Sequence, residues 1–260
     1  MPISRTGLLA ALAEVAKAAG DAILPIYREG IVARAKPDGS PLTEADLAAD
    51  AAILAGLARA CPGIPVVTEE TLPDGDSAPG RFLLVDPLDG TKEFLAGNGE
   101  FTVNIALIED HRPVAGVVLA PALGLLWAGA EGQGATRTDL ATGKIAPCRV
   151  RPRGRPPVAV ASRSHADADT EAFLARLGAA ERRSVGSSLK FCLVADGEAD
   201  IYPRFAPTME WDTAAGHAVL LAAGGRVETP DGAPLRYGTG GRGWRNPPFI
   251  AWGGDLPAGG

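Results

Sequence analysis

The strictest condition on any fold comes from the run Val85-Asp86-Pro87-Leu88-Asp89-Gly90-Thr91-Lys92-Glu93-Phe94. The apolar residues that lead into it, Phe82-Leu83-Leu84-Val85, read as a short buried strand. That strand ends in two carboxylates three residues apart. Pro87 limits one backbone angle between them, and Gly90 permits a tight turn behind them. The pattern predicts two acids held on a stiff loop at a strand end. Hard divalent cations take oxygen ligands of this kind, including a backbone carbonyl such as that of Leu88. A helix can begin at Thr91, so N–H groups left free at its start would face the same place and could receive a phosphate. An ordinary strand-to-turn transition, with Asp89 or Thr91 as a helix N-cap, explains the same residues. The rest of the chain has to decide between the two.

With 260 residues and 46% hydrophobic content, the chain can build a real core as one large or two small domains. A net charge of −6 argues against nucleic acid or a membrane surface as the default partner. An acidic protein that handles a phosphorylated substrate needs metal ions or local cations to offset repulsion. Cys61, Cys148 and Cys192 are scattered and form no CxxC pair, which fits a reduced, cytoplasmic setting with structural cysteines. The apolar N-terminal run is interrupted by Glu14 and Lys17 and continues at helical spacing. It is therefore read as core helix, and no window reaches the length of a membrane span.

In chain order, Leu8, Leu12, Val15, Ala19 and Ile23 mark one face of a helix ending near Pro25, and the polar stretch from Lys36 to Pro41 is a loop. Thr43 opens a second helix with its apolar face at Leu47, Ala51, Leu54 and Ala58. There Asp46 reads first as the third-position partner of a capping box. Pro65 to Thr68 is a strand that runs out into Glu69-Glu70. Phe101, Val103, Ile105 and Leu107 alternate with Thr102, Asn104 and Ala106 as a half-buried strand, followed by strands at Val114–Leu119 and Leu125–Gly129 in an antiparallel meander. Residues 132–155, with Arg149, Arg151, Arg153 and Arg155, read as a join between two halves with a solvated edge. Beyond it, strands at Val158–Ala161 and Ala199–Tyr202 alternate with helices through Phe173–Leu177, Leu189–Ala195 and Ala214–Ala223. That alternation implies a layered α/β half, and the glycine-rich tail from Gly238 reads as loop.

Glu69-Glu70, Asp86-Pro87-Leu88-Asp89-Gly90-Thr91 and Trp211-Asp212-Thr213-Ala214-Ala215-Gly216, in that order, resemble the lithium-sensitive, magnesium-dependent phosphatases of the inositol monophosphatase superfamily. That superfamily also holds fructose-1,6-bisphosphatase and the bisphosphate nucleotidases. The resemblance covers about residues 5–250. Segments outside the metal motifs are similar to the bacterial CysQ-type 3′(2′),5′-bisphosphate nucleotidases. They are Asn98 to Leu107, Ser162 to Asp167, Gly186 to Ala195 and Tyr202-Pro203-Arg204-Phe205. The resemblance implies a mixed α/β fold, the layered αβαβα sandwich of the sugar phosphatases. An α+β half (1–150) would carry most metal ligands, and an α/β half (151–260) would complete the metal and nucleotide site.

The reaction it implies is hydrolysis of the 3′-phosphate of adenosine 3′,5′-bisphosphate to AMP and phosphate by metal-activated water, with the sulfated nucleotide as a second substrate. Glu69, Asp86, Asp89, Asp212 and the Leu88 carbonyl would hold two or three Mg²⁺ ions. Asp46 and Thr91 match the family's water-activating pair, which displaces the capping reading of Asp46 in favour of catalysis. Backbone N–H groups at Gly90 and Thr91 would hold the scissile phosphate, and His165, Lys190 and Arg204 would meet the far phosphate. Glu70 falls behind the ligands, Trp211 packs beside them, and His217 is structural. Two rivals remain: a polyol or sugar phosphatase such as inositol monophosphatase on the same scaffold, and a non-catalytic sensor. The sequence leaves monomer and homodimer open. It also leaves open which of the two nucleotides is preferred.

Overall fold

The computed structural model describes residues 5–29, 33–35, 41–73, 75, 77–154, 156–162, 167–179 and 181–255. The chain opens with helix α1 (Arg5–Glu29), a short antiparallel pair β1 (Ala33–Ala35) and β2 (Pro41–Thr43), and helix α2 (Glu44–Ala60). A seven-stranded sheet follows: β3 (Val66–Thr68), β4 (Arg81–Asp89), β5 (Thr102–Glu109), β6 (Arg112–Ala120), β7 (Leu125–Ala130), β8 (Gly134–Asp139) and β9 (Ile145–Cys148). Its strands lie in chain order, parallel only between β3 and β4. The five-residue helix α3 (Thr91–Leu95) sits between β4 and β5.

The remaining strands are β10 (Val158–Ser162), β11 (Glu181–Val185), β12 (Ile201–Arg204), β13 (Arg226–Glu228) and β14 (Phe249–Trp252), with helices α4 (Ala168–Leu177), α5 (Leu189–Ala195) and α6 (Ala214–Ala222). Their sheet runs β11-β10-β12-β14-β13, parallel across β11, β10 and β12 and antiparallel at β14. Helices α1 and α2 cover one face of the larger sheet. Helices α5 and α6 lie between the two sheets, and α4 closes the outer face of the smaller one. These layers are the αβαβα sandwich that the sequence implied.

Burial follows from that layering. On β5, Val103, Ile105 and Leu107 enter the core under α1 and α2, while Ala106 and Ile108 enter the core between the sheets. The strand expected to be half-buried is therefore buried on both faces, because each face has a helical layer to pack against. Helix α6 is apolar all round, as a helix between two sheets must be, and buries every residue from Ala214 to Leu220.

Several sequence expectations are corrected. Helix α1 continues through Pro25 to Glu29. The turn beyond the proline is held by packing, since Tyr27 stacks against Phe94 and Phe101 with ring centroids 5.2 and 4.9 Å away. Helix α2 turns Ala45, Ala49, Ile53, Gly56 and Leu57 inward and leaves Leu47 51% exposed. Small residues let it close on α1: a Cβ at Gly56 would stand 2.8 Å from a Val15 methyl. Residues 132–155 are only partly a join, because β8 and β9 extend the large sheet. Arg151 is pinned by Asp200 at 2.8 and 3.0 Å, and Arg153 lies over the Trp252 ring. The tail is core: β14 pairs between β12 and β13, and Tyr237, Trp244 and Phe249 are buried. The Lys36–Ser40 part of the expected first loop and Arg155 lie outside the described residues.

Candidate active site

The two acids of the opening motif stand within β4 itself, where a shift of register against β5 separates Asp86 from Asp89. The bulge does the work assigned to a loop. It re-aims consecutive side chains at the strand end without breaking the ladder. Gly90 follows with φ 92° and caps α3 in a left-handed conformation that suits glycine. A Cβ there would also press on the Glu100 carbonyl at 3.2 Å. Helix α6 supplies the third acid, Asp212, from the turn before its first residue, with Oδ2 fixed by the Met209 N–H at 2.9 Å.

Carboxylate oxygens of Asp86, Asp89 and Asp212 lie within 4.8 Å of one another. Burial, then Glu69, Asp89 and Asp212, hold the Asp86 carboxyl well above the usual carboxylate range. Burial and then Asp89 do the same for Asp212. Asp89 is raised by burial and partly relieved by Lys190 and by hydrogen bonds from Ser188 and Asn104. Three converging carboxylates, Asp86 buried and the other two half-buried, form a hard-oxygen donor set whose repulsion a divalent cation would resolve. The residues present fit a metal of that class.

A cavity of about 480 Å³ opens over the trio. Glu69, Leu88, Gly90, Thr91, Lys190 and Arg204 line it along with the three aspartates, so the structure brings together most of the residues singled out from the sequence. Asp46 does not line it. Its carboxylate accepts the Thr43 N–H at 2.8 Å and the Thr43 hydroxyl, closing the capping box of α2. The β2 strand that carries Thr43 packs against α3, the helix that Thr91 begins. Glu70 does not line the cavity; its charge acts on Asp50. His165 lies outside the described residues. Trp211 is buried in the cavity wall and His217 is buried beyond it, as expected. All three cysteines are buried and free.

Lys190 and Arg204 are buried and already engaged. Lys190 Nζ donates to the Val185 and Ser187 carbonyls at 3.2 and 2.5 Å and lies 5.4 Å from the Tyr202 ring centroid. Desolvation lowers its pKa to about 8 against the opposing pull of Asp89. Arg204 donates Nε–H and one Nη2–H to the Ala206 and Pro207 carbonyls at 3.0 and 2.9 Å, which leaves Nη1 for a ligand.

Sequence reasoning missed the polar residues that hold the trio. Asn104 pairs directly with Asp86 across β4 and β5. Its amide donates to Asp89 Oδ2 at 3.2 Å and to Ser188 Oγ at 2.9 Å. The Ser188 N–H donates to the same Asp89 oxygen at 2.7 Å, and its hydroxyl donates to the Asp212 carbonyl at 2.6 Å. The available signal was a polar side chain on an otherwise apolar strand, opposite a carboxylate. Alternation on a half-buried strand assigns that side chain to the face away from the core.

Residues 5–249 match the family model described as the inositol monophosphatase family. Among curated proteins, the 3′(2′),5′-bisphosphate nucleotidase CysQ of Shigella flexneri is 48% identical over 88% of this chain and 94% of its own length. The protein of that name from Buchnera aphidicola is 40% identical over 88% of this chain and 87% of its own. Among solved structures, CysQ from Bacteroides thetaiotaomicron superposes with a TM-score of 0.82 at 41% identity, covering 94% of this chain and 96% of that one. The extragenic suppressor protein suhB of Bartonella henselae superposes at 0.75 with 26% identity, over 95% and 93% of the two chains.

Proposed function

The chain belongs to the inositol monophosphatase family, and from that premise we propose that it is a Mg²⁺-dependent phosphomonoesterase that hydrolyses the 3′-phosphate of adenosine 3′,5′-bisphosphate to AMP and phosphate in the cytoplasm. The observation that carries this reading is one cavity with the acidic trio against one wall and Lys190 and Arg204 within the same lining. Curated proteins 40–48% identical to this chain bear the name of that activity, which supports the choice of substrate.

In this reading Asp86, Asp89, Asp212, Glu69 and the Leu88 carbonyl hold the ions. Bound there, Mg²⁺ supplies neutralisation of the phosphate charge and acidification of a water. The protein's own groups do the rest. The N–H groups at Gly90 and Thr91, at the mouth of α3, receive the phosphate oxygens. The Thr91 hydroxyl orients the attacking water, with the Asp46 carboxylate behind it as the acceptor that drains the proton. Lys190 offsets the negative wall next to Asp89, and Arg204 presents Nη1 to the distal phosphate.

Phosphate release with Mg²⁺ from adenosine 3′,5′-bisphosphate, inositol 1-phosphate and fructose 1,6-bisphosphate, measured side by side, tests the proposal. The nucleotide is expected to be preferred, and Asp89→Asn to lose about a thousandfold in turnover, which is about 4 kcal/mol in the barrier. Preference for inositol 1-phosphate would keep the metal chemistry and overturn the reading of Arg204. Unchanged turnover in Asp89→Asn would overturn the metal site.

A further inference from the structure

A second cavity, of about 380 Å³, lies behind α6 and shares no lining residue with the first. The start of β6, one face of α6, β13 and the turn after it enclose it. Three arginines, Arg112, Arg226 and Arg236, line it against a single acid, Glu228. Acids answer two of these arginines, and the third is left to attract an anion. Arg112 is shared with Glu131 at 3.4 Å, and Arg226 with Glu228 and Asp255 at 3.3 and 2.8 Å. Arg236 is exposed and pairs with no acid among the described residues.

His217 is also part of the lining, from the buried side. Its Nδ1 stands 2.9 Å from the Tyr237 hydroxyl, which in turn stands 3.3 Å from the Thr213 hydroxyl. Asn246 Nδ2 donates to that threonine at 3.1 Å. Thr213 Oγ1 also reaches the Glu210 carbonyl at 3.1 Å, so this chain engages Nδ1 and leaves Nε2 as the ring nitrogen outside it. Burial keeps the ring neutral, with its pKa lowered to about 3. The other walls are apolar, from Pro113, Leu221, Val227 and Leu235, and Leu221 is 37% exposed. A bare inorganic ion would leave that surface wet.

We propose that this cavity binds a small organic anion, an oxyanion group carried on an apolar or aromatic body. Arg236 and Arg112 receive the oxyanion beside the His217 ring, and the body lies against Leu221 and Pro113. The volume is within the usual range for a small-molecule site.

The test follows the imidazole of His217 by proton–nitrogen NMR in the intact, Mg²⁺-loaded protein, with His217→Gln assigning the signal. Phenylphosphonate, which the active site cannot hydrolyse, and inorganic phosphate are titrated separately. The expected result is a saturable shift with phenylphosphonate, at least tenfold weaker binding of inorganic phosphate, at least tenfold weaker phenylphosphonate binding in Arg236→Gln, and no change in Asp212→Asn. A His217 signal that does not move overturns the site, as does equal affinity in Arg236→Gln. Loss of the shift in Asp212→Asn assigns the effect to the active site and overturns it too. Inorganic phosphate binding as tightly as phenylphosphonate overturns the organic body.

Discussion

Asp86 is 1% exposed and surrounded by like charge, and that cost has a measurable consequence. Its raised pKa means that, without a divalent ion, the folded chain holds a proton that the unfolded chain releases above the ordinary carboxylate value. Metal-free stability is therefore gained as pH falls into that window and lost as pH rises out of it. Thermal unfolding in EDTA should show that slope, and Mg²⁺ should remove it while raising the melting temperature. Asp86→Asn should raise the metal-free melting temperature by at least about 2 °C and lose the Mg²⁺ response. A full Mg²⁺ response in that variant would remove Asp86 from the ligand set. His217 has the opposite sign. Its folded pKa, near 3, lies below the unfolded value, so its contribution is fully present above pH 6.5 and lost as pH falls toward 3. Between pH 6.5 and 5 that amounts to about 2 kcal/mol. Denaturant unfolding of His217→Gln at those two pH values should show a correspondingly shallower loss than the parent protein.

Elements position these residues by close approach. Helix α6 lies so near the large sheet that a Cβ at Gly116 of β6 would stand 2.6 Å from the Ala215 carbonyl, and one at Gly129 of β7 would stand 3.0 Å from the Val219 Cα. The helix start that carries Asp212 is thus set by two strand positions that tolerate no side chain. Gly116→Val should destabilise the fold by about 3 kcal/mol and, by tilting α6, lower turnover as well. Equilibrium unfolding and phosphate release on the same preparation check both, and retained turnover would show that α6 does not set the Asp212 geometry. The bulge in β4 acts similarly for Asp86 and Asp89. The motif was legible in the sequence, but its strand ladder was not. A proline and two acids read as a loop, whereas pairing with β5 on both sides of the bulge keeps them in the sheet.

Across the whole molecule, the site is made where the two sheets meet. Asn104 from the large sheet and Ser188 at the start of α5 bond each other and Asp89, and Ser188 also holds the Asp212 carbonyl. Ser188→Ala removes the hydroxyl link and keeps the backbone one. It should cost about 10- to 100-fold in Mg²⁺ affinity or turnover, as loss of groups behind metal ligands typically does. A Mg²⁺ titration of activity separates the two effects, and parental values for both would show that the sheets are aligned without this link.

The sequence by itself determined the order of strands and helices around the acidic motifs, the acids that converge, the layered α/β class and the family. These depend on short runs whose chemistry is local: a strand that ends in carboxylates, a glycine that turns the chain, an N-cap. Tertiary structure decided what local pattern leaves degenerate. Alanine on every side of α2 gave no strong preference for a face, and only the fit of Gly56 against Val15 chose one. The tail from Gly238 holds one short apolar run, Phe249–Trp252, among glycines and prolines, and it becomes β14 because β12 and β13 each offer it an edge. Asn104 and Ser188, 84 residues apart, acquire their role only when two sheets are stacked, because a hydrogen bond between distant side chains has no period in the sequence.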